Sequence, residues 1–315
     1  MRLRRLSRWA VLCSFVTFVC CASAAPAGPA AVIGGERPGA PADAAVAPAQ
    51  EIRLPNKPDS LKFAVIGDNG DGEQRQYDVG KQMAAWHQRF PFELVVMMGD
   101  NIYGSERPQD FVTKFEAPYK PLLDAGVKFY ASLGNHDARE QRYYKHYNMD
   151  GKLYYSFKAP KQDVRFFALE STYPEPEQIE WFRKELEGSN EKWKIGFWHH
   201  PLYSSGRTHG SETRLRASLE PLLIKYNVSL VLSGHDHIYE RIKPQSGIAY
   251  FVVGSSGKLR EGDLRKGSPL TAKGLDTDNA FMLMEIDGDD LTFVAIDRQG
   301  KVFDSGVIRR RQPAK

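Results

Sequence analysis

Five short apolar runs, each closed by a cluster of Gly, Asp, Asn and His, constrain this chain more than any other feature. The runs are Lys62–Ile66, Leu94–Met98, Val127–Ala131, Lys194–Trp198 and Leu230–Leu232. Runs this short, bounded by turn residues, fit strands buried on both faces. Candidate helices lie between several of them, at Gln74–Arg89, Phe111–Asp124, Glu177–Glu187 and Glu212–Tyr226. In the third, Ile179, Phe182 and Leu186 recur at helical spacing. Strands alternating with helices imply a parallel or mixed sheet with right-handed crossovers. Further on, Tyr154–Phe157, Val164–Leu169, Ile248–Val253, Phe281–Ile286, Leu291–Ile296 and Val302–Ile308 read as strands, several joined by links short enough for hairpins. The expected fold is α/β, with two mixed β-sheets packed as a sandwich flanked by helices.

The residues that close the five runs carry the chemistry. Gly67-Asp68-Asn69-Gly70 closes the first and Gly99-Asp100-Asn101-Ile102-Tyr103 the second. Gly134-Asn135-His136-Asp137, His199-His200-Pro201 and Gly234-His235-Asp236-His237 close the others. Carboxyl ends of strands line the ligand crevice of open α/β sheets, where rigid strands hold exposed loops. Taken singly, each fragment has a plainer explanation: an Asp after a strand caps a helix, and an Asn in a turn accepts positive φ. His199 and His200 could be two satisfied polar side chains. Five such coincidences at five strand ends point instead to a metal site. Asp and His donors suit Fe, Zn, Mn or Ni. A carboxylate can bridge two cations roughly 3.5–4 Å apart, the spacing of two-metal hydrolases.

Competing chemistry is scarce. All three cysteines (Cys13, Cys20, Cys21) fall in the first 21 residues, leaving neither disulfide nor thiolate ligand beyond them. Gly254-Ser255-Ser256-Gly257-Lys258 is too short for a phosphate-binding loop, and Asp68–Gly72 lacks calcium-loop spacing. The N-terminus reads as a secretory signal over residues 1–24. Arg2, Arg4, Arg5 and Arg8 precede an apolar run from Trp9 to Cys21, then Ala22-Ser23-Ala24 at a small-residue cleavage site. That run is short against the roughly 20 residues of a membrane span, so no span is expected after cleavage. Twin-arginine export and lipidation at Cys21 stay open. Residues 25–58 read as a disordered linker, nineteen of the first twenty-six being Ala, Pro or Gly. A single catalytic domain is expected over 59–315. The whole chain carries 43 basic and 39 acidic side chains, and without the four leader arginines the two are equal. That balance argues against a nucleic-acid partner. Arg309-Arg310-Arg311 reads as a solvated tail, and Asn227-Val228-Ser229 leads into a buried strand rather than an exposed glycan site.

The ordered set Asp68, Gly-Asp100-Asn101-x-Tyr103, Gly-Asn135-His136-Asp137, His199 and Gly-His235-Asp236-His237 resembles the calcineurin-like metallophosphoesterases, and within them the purple acid phosphatases. The broader pattern has Asp-x-His in its first motif, where this chain has Gly70, and Tyr103 occupies the position from which the purple enzymes supply a phenolate. The resemblance implies a first metal, Fe(III), held by Asp68, Asp100, Tyr103 and His237. It implies a second, divalent ion (Fe, Zn or Mn) held by Asp100, Asn135, His199 and His235, with Asp100 bridging. His136 matches the family's substrate-side histidine and His209 resembles a second. His200 lies at a position the family does not use.

The implied activity is hydrolysis of small phosphomonoesters outside the cytoplasm, secreted or periplasmic, by direct attack of a metal-bound hydroxide on phosphorus. One of the two histidines protonates the leaving alcohol, which favours an acid optimum. Two alternatives stand beside it: a phosphodiesterase or nucleotidase on the same metals, and a secreted binding module with a vestigial site. The stretch Lys258–Asp278, with mixed charge and no periodicity, is expected to be a long loop that shapes substrate access.

Overall fold

The computed structural model describes residues 53–312. The expected signal and most of the Ala/Pro/Gly linker lie outside the described residues. Among the described residues, thirteen strands and five α-helices follow one another as β1 (Leu61–Ile66), α1 (Gln74–His87), β2 (Leu94–Met98), α2 (Pro108–Phe111), α3 (Lys120–Asp124), β3 (Lys128–Ser132), β4 (Tyr155–Lys158), β5 (Val164–Ala168), α4 (Pro176–Gly188), β6 (Trp193–Phe197), α5 (Thr213–Lys225), β7 (Leu230–Ser233), β8 (Tyr239–Gln245), β9 (Ile248–Val253), β10 (Thr271–Leu275), β11 (Ala280–Asp287), β12 (Asp290–Asp297) and β13 (Val302–Arg309).

They form two mixed sheets, with strand orders β13-β12-β11-β1-β2-β3 and β10-β8-β9-β7-β6-β5-β4. β1, β2 and β3 run parallel, as do β5, β6, β7 and β9, while the C-terminal β11-β12-β13 meander is antiparallel. The sheets pack face to face. Phe63 on β1 meets Phe166 on β5 edge-on at 5.3 Å, and Phe251 on β9 meets Phe293 on β12 at 5.0 Å. Burying such rings contributes roughly 2–3 kcal/mol each, and edge-on pairing adds about 1 kcal/mol. α4 and α5 cover the outer face of the second sheet through Phe182, Leu186, Leu215, Leu219 and Leu223. Coverage on both faces explains why β1, β2 and β7, buried along their whole length, read as continuous apolar runs.

Four departures from the sequence reading have physical causes. The helix expected at Phe111–Asp124 is broken, because Val112–Glu116 winds as a π-turn and Pro118 and Pro121 have no N–H to continue it. β8 carries Glu240, Arg241 and Lys243 and so shows no apolar period, yet Glu240 is buried and accepts from the Ser205 N–H at 2.7 Å. The loop expected over Lys258–Asp278 contains β10, a half-exposed edge strand hydrogen-bonded to β8. Residues 53–58, read as linker, also make defined contacts: the Asn56 and Lys57 N–H groups donate to the buried Glu285 carboxylate at 2.6 and 2.7 Å.

Candidate metal centre

Five loops converge at the carboxyl ends of parallel strands from both sheets. Asp68 follows β1, Asp100 β2, Asn135 β3, His199 β6 and His235 β7, each two or three residues past its strand. Asp68, Asp100 and His235 adopt left-handed φ of 52°, 52° and 71°. Non-glycine residues reach that region at a cost, Asp and His more readily than most, and such outliers cluster at functional sites. The loops are stitched together: the His235 N–H donates to Asp68 Oδ2 at 2.8 Å and the His136 N–H to Asp100 Oδ1 at 2.9 Å.

The ligand atoms gather in two groups. Asp68, Asp100 and His237 offer atoms within 4.8 Å of one another, and so do His199, His200 and His235. Tyr103 joins the first: its phenol oxygen lies 3.1 Å from both Asp68 Oδ1 and His237 Nε2. Asn135 joins the second, with Oδ1 3.0 Å from His199 Nε2, and His235 Nδ1 lies 3.1 Å from the same nitrogen. Asp100 Oδ1, 3.5 Å from His199 Nε2, stands between the two groups. His199 Nδ1 faces the Met98 carbonyl at 2.8 Å, so that nitrogen holds the hydrogen and Nε2 presents its lone pair inward.

Charge balance makes the site unusual. Asp68 and Asp100 are essentially fully buried, yet among the described residues their only ion-pair partners within 4 Å are imidazoles. Burial, reinforced by the charge of Asp100, pushes the Asp68 carboxyl well above the usual range. The imidazoles offer little compensation. Burial holds His199 and His235 far below their ordinary value, and His237 is lowered to about 4 by burial and then by the nearby Arg260. Buried anions beside imidazoles that resist protonation make a donor set that fits bound cations.

The two histidines assigned to substrate each pack against a different donor group. His136 packs against Tyr103, ring centroids 4.9 Å apart, and His209 against His235 at 4.1 Å; both side chains are exposed. His200, set aside on sequence, falls within the second donor group, its ring 4.3 Å from His235 and its Nδ1 2.9 Å from Ser171 Oγ.

Two carboxylates whose roles sequence reasoning missed act as braces. Asp137 accepts from the N–H groups of Gly134, Asn101 and Ile102 and from the side chains of Asn101 and Gln141, at 2.8–3.0 Å. Burial and the charge of Asp100 push its carboxyl up to about 7, against donors that favour the ionised form. Asp236 accepts from Ser204 Oγ and the Gly210 N–H, holding down the loop that carries His209. Both sit inside the motifs, but most of their partners are distant in sequence or on the backbone.

Known proteins similar to this chain identify its family. A family model described as calcineurin-like phosphoesterase matches residues 61–239. The chain is 29% identical over 283 residues to purple acid phosphatase 4 of Arabidopsis thaliana, covering 78% of this chain and 83% of that protein. It is 25% identical over 316 residues to tartrate-resistant acid phosphatase type 5 of Homo sapiens, covering 84% and 97%. Its fold is similar to that of the yellow lupin purple acid phosphatase PPD1 (TM-score 0.66, 20% identity, 82% of this chain and 55% of that one). It is equally similar to GAP50, described as an anchor in the inner membrane complex of Plasmodium (TM-score 0.67, 20% identity, 80% and 90%). One architecture thus serves an acid phosphatase and an anchor, so the fold alone does not fix the function. With more than half of its length matched by the family model, and with the motifs in order at the strand ends, the chain belongs to the calcineurin-like phosphoesterase family.

Proposed function

We propose that this protein is an exported, metal-dependent phosphatase of the purple acid phosphatase kind, acting on small phosphomonoesters. The observation that carries the reading is the pair of adjoining donor groups, Asp68/Asp100/His237 and His199/His200/His235, around buried carboxylates that no lysine or arginine pairs among the described residues. Asp68, Asp100, Tyr103 and His237 would hold Fe(III); Asp100, Asn135, His199 and His235 would hold a divalent ion, Fe, Zn or Mn. When bound, such a pair of ions activates water as the nucleophile and draws charge from the phosphoryl oxygens.

The chain's own residues do the rest. His136 and His209, each exposed beside a different donor group, would donate to phosphoryl oxygens and protonate the departing alkoxide. That step needs an imidazolium, so activity should favour the acid side of neutrality. Asp137 and Asp236 fix the two loops from which these histidines project, the kind of support that keeps a catalytic group in place. Relatives named as acid phosphatases support the reading, and the leader pattern of residues 1–24 supports export.

The test is metal analysis of the purified protein combined with turnover of p-nitrophenyl phosphate and bis-p-nitrophenyl phosphate. Two metal equivalents and preferential monoester hydrolysis are expected. Diester preference would shift the assignment to a phosphodiesterase, and a metal-replete protein that hydrolyses neither would leave a binding module.

A further inference from the structure

The Gly-rich stretch Gly254–Lys258 does not form a phosphate loop, but it shapes one edge of the site. It packs closely under the metal-ligand loops: a Cβ at Gly257 would stand 2.4 Å from the Asn69 carbonyl oxygen. The Ser256 N–H donates to the Gly67 carbonyl at 3.2 Å and the Lys258 N–H to that of Asp68 at 2.9 Å. Two residues on, the Arg260 N–H donates to the His237 carbonyl at 3.0 Å. This backbone delivers two cations to the Tyr103–His237 edge of the centre.

Neither cation is satisfied there. Lys258 Nζ stands 4.9 Å from the centroid of the Tyr103 ring, and its nearest carboxylate, Asp71, is 3.9 Å away, beyond hydrogen-bond reach. Arg260 Nη1 is buried without a hydrogen-bond partner, and the guanidinium pairs with no carboxylate among the described residues. A buried guanidinium hydrogen left without an acceptor is costly, because it has given up water for nothing. The metals would deepen the imbalance. Asp68, Asp100 and Tyr103 are the only anionic donors proposed for two multivalent ions, so the loaded centre stays positive, and two further cations beside it call for more negative charge than one phosphate carries.

We infer that Lys258 and Arg260 form a subsite for a second anionic group, a carboxylate or a second phosphate, borne by the substrate next to the ester that is cleaved. The inference rests on the phosphatase reading and narrows its substrates to phosphoesters carrying such a neighbouring group. Arg260 would supply hydrogen bonds and Lys258 a mobile charge.

Calorimetric binding to the metal-loaded protein tests this without requiring turnover. The probes are methylphosphonate, phosphonoacetate (the same molecule with a carboxylate added) and methylenediphosphonate. The wild type should bind at least one of the two probes with a second anionic group tenfold or more tightly than methylphosphonate. A Lys258→Met/Arg260→Gln double variant, with metal content unchanged, should lose that preference while its methylphosphonate affinity falls by about threefold at most. Whichever probe gains most identifies the anion. Equal binding of all three by the wild type overturns the inference. So does a preference that survives in the double variant, since it would then arise from chelation of the metals. A protein that shows the preference but hydrolyses no ester would refute the phosphatase reading and leave the subsite standing.

Discussion

Replacing Asp137 by Asn tests whether the metal centre depends on a residue that touches no proposed metal. Asp137 Oδ2 accepts from the Gly134 and Asn101 N–H groups and from Asn101 Nδ2; Oδ1 accepts from the Ile102 N–H and from Gln141 Nε2. Asparagine keeps only one acceptor oxygen. Even in its better orientation, its NH2 would point at two donors, the Ile102 N–H and Gln141 Nε2, both on buried residues. At about 1–3 kcal/mol for each unsatisfied donor, the loss should be about 4 kcal/mol. In a domain of this size that lowers Tm by roughly 10 °C. Ile102 belongs to the loop that carries Asp100, so a weakening of metal affinity by roughly 10- to 100-fold is also expected, as for other residues that orient ligands. Thermal denaturation with chelator present isolates the first effect and titration with Zn(II) or Fe(II) the second. A variant matching the wild type in both would refute the bracing argument, and one that lost stability while keeping full affinity would limit Asp137 to folding.

Other expectations are separate. His199→Ala or His235→Ala should remove the divalent ion and lower turnover by roughly two to three orders of magnitude, with circular dichroism unchanged, because these side chains stand beyond the ends of their strands. Tyr103→Phe should abolish the visible absorption of the Fe(III)-loaded protein even where iron analysis shows the metal retained, since a filled-shell ion such as Zn(II) accepts no charge from a phenolate. Burial holds His237 at about 4 in the folded protein, below its ordinary 6.5. The stability it contributes is therefore present above pH 6.5 and lost as pH falls toward 4, a change on the order of 3 kcal/mol. Denaturant unfolding of the metal-free protein should show that part of the acid destabilisation disappear in His237→Gln.

Much of the architecture could be read ahead because β1, β2 and β7 are buried on both faces, which forces unbroken apolar runs, and because ligand loops need Gly beside Asp, Asn or His. The features that the residue pattern hides depend on contacts remote in sequence. β8 tolerates the buried Glu240 only because Ser205 and Thr271 donate to it. β10 pairs at an edge, where half-exposed residues leave no alternation to detect. His200 could be seen as a histidine, but its place depends on Ser171 and on the rotation of the ring beside His235. The role of Asp137 lies largely in backbone donors, which no residue type reveals.

The two departures in the metal motifs have a common cause. In sequence they look like compensation: Gly70 lacks the histidine of the general Asp-x-His motif, and Tyr103 supplies a phenol instead. In the structure a Cβ at position 70 would lie 1.7 Å from the Asn101 carbonyl oxygen and 2.7 Å from the Ile102 nitrogen. Two backbone hydrogen bonds enforce that approach, from the Gly70 N–H to the Asp100 carbonyl at 3.3 Å and from the Tyr103 N–H to the Gly70 carbonyl at 2.8 Å. The second of these anchors Tyr103 at the distance from which its phenol reaches Asp68 and His237. Bringing the loop after β2 close enough to present Tyr103 leaves no room for any side chain at position 70, so a histidine there and the phenol at 103 are sterically exclusive on this backbone. The glycine is the geometric condition for the tyrosine, and the two would have to change together.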